Sequence, residues 1–131
     1  IGPEYIELAF RWAHEADPQA RLFYNDYNGE GLGKKSDAIY ELIQKLLQRD
    51  VPINGVGLQM HVGLKNSPPP TDVSVNIRRL AALALDVHIS EMDVKIQDGT
   101  GTQAENLAAQ AKIYQDMLGV CLSEGSCRAF I

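Results

Sequence analysis

Two hydrophobic periods alternate along this chain, and that alternation constrains its fold more than any other feature. Stretches with apolar residues at helical spacing give way repeatedly to short, nearly continuous apolar runs. Ile6, Ala9, Phe10 and Ala13 mark a first helix, entered at Pro3 after Gly2 and stopped by Asp17-Pro18. Residues 21–24 read as a short strand leading into Asn25-Asp26-Tyr27-Asn28, and Gly29, Gly31 and Gly33 make the next stretch a loop. Ile39, Leu42, Ile43, Leu46 and Leu47 form the broadest helical stripe. Residues 55–60 are a compact apolar run, as expected of a buried strand, and residues 66–71 hold three prolines in a row and read as loop. A helix through Ile77, Leu80, Ala81 and Ala84 precedes a third strand at 85–89. After a polar turn at 98–102, Thr102 and Glu105 have capping-box spacing. Leu107, Ala111, Tyr114, Met117 and Leu118 carry the last helix, and residues 127–131 begin a fourth strand.

The order α-β-α-β-α-β-α-β implies an α/β fold with parallel strands joined by right-handed crossovers. Neither GxGxxG nor GxxxxGK[ST] occurs, so the dinucleotide and P-loop versions are poorly supported. Asn25–Asn28, Gln59–His61 and Glu91–Asp93 fall at the C-terminal ends of the three complete strands. Barrel enzymes place their chemistry there, although an open sheet does the same. The length of 131 residues suits one domain, 1–131. The formal charge of −5, without any Lys/Arg stripe, argues against a nucleic-acid partner. No apolar run has the length of a membrane span, and no charged-then-apolar leader opens the sequence. Cys121 and Cys127 do not form a CxxC motif; reduced buried thiols and a short-loop disulfide are both open.

The strand tips supply the candidate chemistry. Glu91 follows Val87-His88-Ile89 and stands where a carboxylate would meet a ligand. His61 is placed likewise on the neighbouring strand, and Asp93 shares the Glu91 face if the strand stays regular. An Asp–His–Glu chain is therefore feasible, with His61 controlling the charge on Glu91. Gln59 shares the His61 face, and Asn25, Tyr27 and Asn28 add amide and phenol groups. With no Arg or Lys in the cluster, a polyhydroxyl ligand such as a sugar fits better than a phosphate. A metal site is disfavoured because only one imidazole is available at the tips, and no cofactor is implied.

At these motifs the sequence resembles glycoside hydrolase family 10, the endo-β-1,4-xylanases. The resemblance is carried by Ala9-Phe10-Arg11-Trp12-Ala13 with Ala16-Asp17-Pro18, and by Leu22-Phe23-Tyr24-Asn25-Asp26-Tyr27-Asn28. Val51-Pro52-Ile53-Asn54-Gly55-Val56-Gly57-Leu58-Gln59-Met60-His61 and Val87-His88-Ile89-Ser90-Glu91-Met92-Asp93-Val94 complete it. Ser90, Met92 and Asn54 stand where the family usually has Thr, Leu and Asp. The resemblance implies a partial TIM (β/α)8 barrel, covering roughly strands five to eight. It implies Glu91 as nucleophile of a retaining xylanase, tuned by His61 and Asp93. Gln59 would line the subsite of the attacked sugar, Tyr27 and Asn28 the leaving-group sugars, and Cys121 and Cys127 would be bridged.

Retaining glycosidases need two carboxyl groups, and a full barrel needs roughly 250 residues. The family's acid/base Glu lies in an Asn-Glu pair ending strand four, and Asn-Glu does not occur in this sequence. That acid is expected upstream of Ile1. The expected partner is xylan or a xylo-oligosaccharide, and the expected location is extracellular, inferred from a polymeric substrate and the cysteine pair. An isolated half-barrel is expected to form a homo-oligomer or domain-swapped dimer. The competing readings are an inactive half-barrel serving as scaffold or weak sugar binder, and a retaining glycosidase with another substrate such as cellulose, which the resemblance argues against. Should the chain prove active alone, Glu30, Glu105 or a Glu91 from a second copy are the substitute acids to examine.

Overall fold

The computed structural model describes Gly2 and residues 4–131. Four helices, α1 (Glu4–Ala16), α2 (Lys34–Leu47), α3 (Pro70–Ala81) and α4 (Gln103–Ser123), alternate with strands. Strands β1 (Phe23–Asp26), β2 (Gly55–Leu58), β4 (Asp86–Ile89) and β6 (Cys127–Phe130) form one sheet in that spatial order. Every pairing in it is parallel. Two further short strands, β3 (His61–Gly63) and β5 (Asp93–Lys95), pair with each other beyond the tips of β2 and β4. The expected helix–strand alternation is present, and these two strands are additions to it.

The sheet register sorts side chains onto two faces. Val56 stands beside Val87, and Leu58 beside Ile89, all four buried. The helices close over this face with Ile39, Ile43 and Leu46 of α2, Val73, Ile77 and Leu80 of α3, and Met117, Val120 and Cys121 of α4. A side chain such as fully buried Ile43 contributes about 1.5–3 kcal/mol through its removal from water. The opposite face carries a different set. Phe23, Gly55 and Asp86 are aligned, as are Asn25, Gly57 and His88. There the Phe23 and His88 rings stack at 4.0 Å, and Asp86 pairs with Arg21 at 2.8 Å and Arg128 at 3.3 Å. Among the described residues no helix covers this second face, whereas parallel sheets are ordinarily covered on both.

Several local expectations shift. The first strand is at Phe23–Asp26 rather than 21–24, because the Leu22 N–H donates to the Asn54 side chain (2.7 Å) and ladder pairing starts at Phe23. The strand expected over 55–60 ends at Leu58, and Met60 turns left-handed at φ 67°. Helix α3 starts inside the proline run: Pro70 is its first residue, where the missing N–H has no helical partner to lose. Ala84 lies outside that helix at φ 61°, in the turn that leads to β4. The Thr102–Glu105 capping box forms as expected. Cys121 and Cys127 are joined by a disulfide that ties α4 to β6. The helix start expected at Pro3 lies outside the described residues.

Candidate active site

Glu91 sits just past β4, at the C-terminal end of the parallel sheet. Its position depends on a count. Leu58 pairs with Ile89 and His61 with Asp93, so Gln59 and Met60 on one side face Ser90, Glu91 and Met92 on the other. Two residues opposite three is the signature of a bulge. The extra residue breaks the period of two, so Glu91 and Asp93 do not share a face through a regular strand. They share a site because both reach His61.

The imidazole lies between them, with Nδ1 3.0 Å from Asp93 Oδ2 and Nε2 3.4 Å from Glu91 Oε2. A neutral ring donates at one nitrogen only; a protonated ring donates at both. Glu91 has a second partner, since Asn25 Nδ2 donates to its Oε1 at 2.6 Å. Asn25 is itself oriented, because the Ser90 hydroxyl donates to its Oδ1 at 2.7 Å. Gly57, beside Asn25 in the register, leaves room for this amide; a methyl group there would overlap the Asn25 oxygen. The chain Asp93–His61–Glu91–Asn25–Ser90 is half-exposed to solvent, so a ligand reaches Glu91 without any core opening.

The remaining expected contacts are distributed around this chain. Asn28 and His61 line a cleft of about 210 Å³, together with Asn66 and Pro68. Tyr27 is exposed just beyond β1, with Lys35 Nζ 5.4 Å from the centre of its ring. Lys35 also pairs with Asp26 at 2.7 Å. Partial burial of Asp26 opposes ionisation, but bonds from Lys35, the Tyr27 N–H and the Tyr24 hydroxyl outweigh it and hold the carboxyl below its usual range. Burial, then the bond to Asp26, pushes the Tyr24 phenol up to about 12. Gln59 is half-buried between β2 and β3, with its N–H on the Asp26 carbonyl at 3.1 Å.

Sequence reasoning treated Asn25 as a substrate contact and missed its bond to Glu91. It noted Ser90 only as a replacement. Gly55 and Gly57 offered a readable signal: two glycines at strand period mark a face that something approaches closely. The two substitute acids are engaged elsewhere. Glu30 is buried on backbone N–H groups of Asn28 and Met60, and Glu105 caps α4.

Parallel strands returning through helices, with a carboxylate–imidazole–carboxylate chain at their C-terminal tips, define part of a (β/α)8-barrel of the glycosidase type. More specifically, the chain belongs to glycosyl hydrolase family 10, whose family model matches residues 1–131. It is 41% identical over 98% of its length to endo-1,4-beta-xylanase B of Neocallimastix patriciarum, of which it spans 14%. It superposes on xylanase 10B of Thermotoga petrophila, solved in complex with xylobiose, with a TM-score of 0.92 at 40% identity. That match covers 99% of this chain and 39% of the other. The intracellular xylanase of Thermoanaerobacterium saccharolyticum gives 0.88 at 38% identity, covering 99% of this chain and 39% of its own. The chain thus spans less than half the length of these relatives.

Proposed function

We propose that this chain contributes the nucleophile half of a retaining endo-β-1,4-xylanase. The observation that carries the reading is the Glu91 carboxylate, held by Asn25 at 2.6 Å and faced by His61 at 3.4 Å, at the tips of a family 10 sheet. Glu91 attacks the anomeric carbon of a bound xylose unit and forms a glycosyl-enzyme ester as the bond to the leaving oxygen breaks. Asp93 holds His61, and His61 and Asn25 hold the carboxylate in one orientation. That preorganisation lowers the cost of reaching the attack geometry. Gln59, Tyr27 and Asn28 contact the sugars on either side.

The leaving oxygen needs a proton, and water must then be activated for the second step. The neighbouring carboxylates are committed: Asp93 to His61, Asp26 to Lys35, and Glu30 to two backbone N–H groups. The acid/base carboxyl of the proposed reaction is placed, as the family resemblance implies, on the first half of the barrel. Xylobiose in a similar xylanase supports xylan or xylo-oligosaccharide as substrate. Secretion is supported by the disulfide, which persists in oxidising compartments.

The test mixes this chain with a polypeptide carrying the first four β/α units of a family 10 barrel. The docked pair is then treated with an activated 2-fluoro xyloside. Intact mass should show one sugar attached, and peptide mapping should place it on Glu91. Labelling of another carboxylate, or of a Glu91→Ala chain, would overturn the assignment. Sugar binding without labelling in the docked pair would favour an inactive half-barrel, the reading suggested by the missing second carboxyl.

A further inference from the structure

One buried carboxylate stands outside the Glu91 chain. Glu30 is 5% exposed, and its Oε1 accepts the backbone N–H of Asn28 and of Met60, each at 3.0 Å. These two donors have something in common. Asn28 at φ 57° and Met60 at φ 67° are both left-handed, a conformation that side-chain-bearing residues rarely adopt. Each stands two residues beyond the end of a sheet strand, Asn28 after β1 and Met60 after β2. One oxygen therefore collects the N–H groups of the two turns by which β1 and β2 leave the sheet.

Glu30 is itself anchored. Asn76 of α3, 2% exposed, donates through Nδ2 to the carbonyls of Gly29 (2.8 Å) and Glu30 (3.0 Å). Arg79 Nε donates to Asn76 Oδ1 at 2.8 Å, and Arg79 also reaches Asp37 of α2 at 2.6 Å. The loop is thereby tied to two helices, and the carboxylate cannot follow the turns if they relax. Met60 directly precedes His61, so its backbone angles decide where β3 begins and whether His61 stands opposite Asp93.

We propose that Glu30 is a positioning residue for His61: by holding the left-handed turns at Asn28 and Met60, it keeps the imidazole between Asp93 and Glu91. Its consequence for catalysis rests on the function proposed above; the positioning itself does not. Glu30 borders the cleft that Asn28 and His61 line, with its Oε1 turned to the two backbone N–H groups. Its effect travels through the Met60 backbone to the imidazole.

The experiment uses isotope-labelled chain in NMR. In the unmodified chain, scalar coupling across the hydrogen bonds should link the Met60 and Asn28 amide nitrogens to the Glu30 carboxyl carbon. Two variants of similar volume separate shape from bonding: Glu30→Gln keeps an acceptor oxygen, and Glu30→Met has none. In Glu30→Met, exchange of the Met60 amide should accelerate about tenfold, the scale of losing a buried hydrogen bond. The His61 ring nitrogens should move toward the shifts of a freely solvated imidazole, while the stacked Phe23 and His88 rings keep theirs. Glu30→Gln should retain the parent His61 signature. An unchanged His61 signature in Glu30→Met would overturn the proposal. So would absence of both couplings in the parent chain, a result that needs no variant to fold. Labelling of Glu91 is read separately: its failure alongside a responsive His61 signature would reject the function and leave the positioning intact.

Discussion

At the scale of residues, the orientation of Glu91 is produced by small neighbours as much as by charged ones. Asn25 reaches the carboxylate only because Gly57 has no side chain beside it and Ser90 turns its amide. Gly57→Ala should therefore behave like Asn25→Ala, although Gly57 itself has no side chain to offer a ligand. Each should slow sugar trapping on Glu91 in the docked pair by about tenfold to a hundredfold, the range for one hydrogen bond to a charged group. Glu91→Ala should abolish trapping, and His61→Ala or Asp93→Ala should reduce it less than that, since these residues orient and do not bond. Parent-like trapping by Gly57→Ala would show that the amide is dispensable. The candidates Glu91, His61 and Asp93 were legible in the sequence because their types and strand-end positions are local facts. The crowding at Gly57 was not, because it depends on which residue of β1 lies alongside.

At the scale of elements, two clasps join α4 to its neighbours. The first is Glu124, just past α4, which accepts from Ser74 and Arg78 of α3 (Arg78 Nε at 3.0 Å to both carboxylate oxygens). The bond from Arg78, then that from Ser74, holds Glu124 below its usual carboxylate range against the opposing effect of burial. A depressed folded value means that the stabilisation is complete above the unfolded Glu value, about 4.3, and is lost as pH falls through the folded one. Glu124→Gln should lower stability by about 1 kcal/mol near neutral pH, a modest figure because Arg78 is exposed and screened. The difference from the parent in urea midpoint should shrink as pH falls below about 4. A difference that stays constant from pH 7 to pH 3 would contradict this. The second clasp is the disulfide Cys121–Cys127, closing a short loop between α4 and β6. Its reduction should cost roughly 2 kcal/mol by the loop-entropy relation. Urea titrations with and without reductant measure it, and coincident curves would deny it a stabilising role.

At the scale of the whole molecule, the arrangement is open on three sides. The sheet face bearing Phe23, Asn25, Gly57 and His88 has no covering layer among the described residues. Strands β1 and β6 stand at the edges of the sheet. The terminal helices expose apolar side chains, Tyr5, Leu8 and Trp12 on α1 and Leu107, Leu118 and Leu122 on α4. Unpaired edges and uncovered apolar surface favour association. The isolated chain should therefore sediment as a dimer or larger species at micromolar concentration. A stable monomer would reject this. The chain alone should hydrolyse xylan negligibly, since general acid assistance is typically worth ~10²–10⁴-fold. An aryl xyloside with a good leaving group needs that proton less, so residual turnover should appear there first. Adding the complementary half should restore xylan cleavage. Robust xylan hydrolysis by the chain alone would mean that an acid is already present among these residues.

The sequence by itself determined the class of fold, the alternation of four helices with the four strands of the main sheet, and the polar residues at the strand tips. Periodicity is a local property, and a buried parallel strand between amphipathic helices admits few arrangements. What tertiary structure alone decided is how those tips meet. The bulge that brings Glu91 and Asp93 to opposite nitrogens of His61 is a difference in count between two strands, invisible on either one. The burial of Glu30 beneath two turns more than thirty residues apart is equally non-local. Each depends on register between strands that are distant in sequence, which no single segment carries.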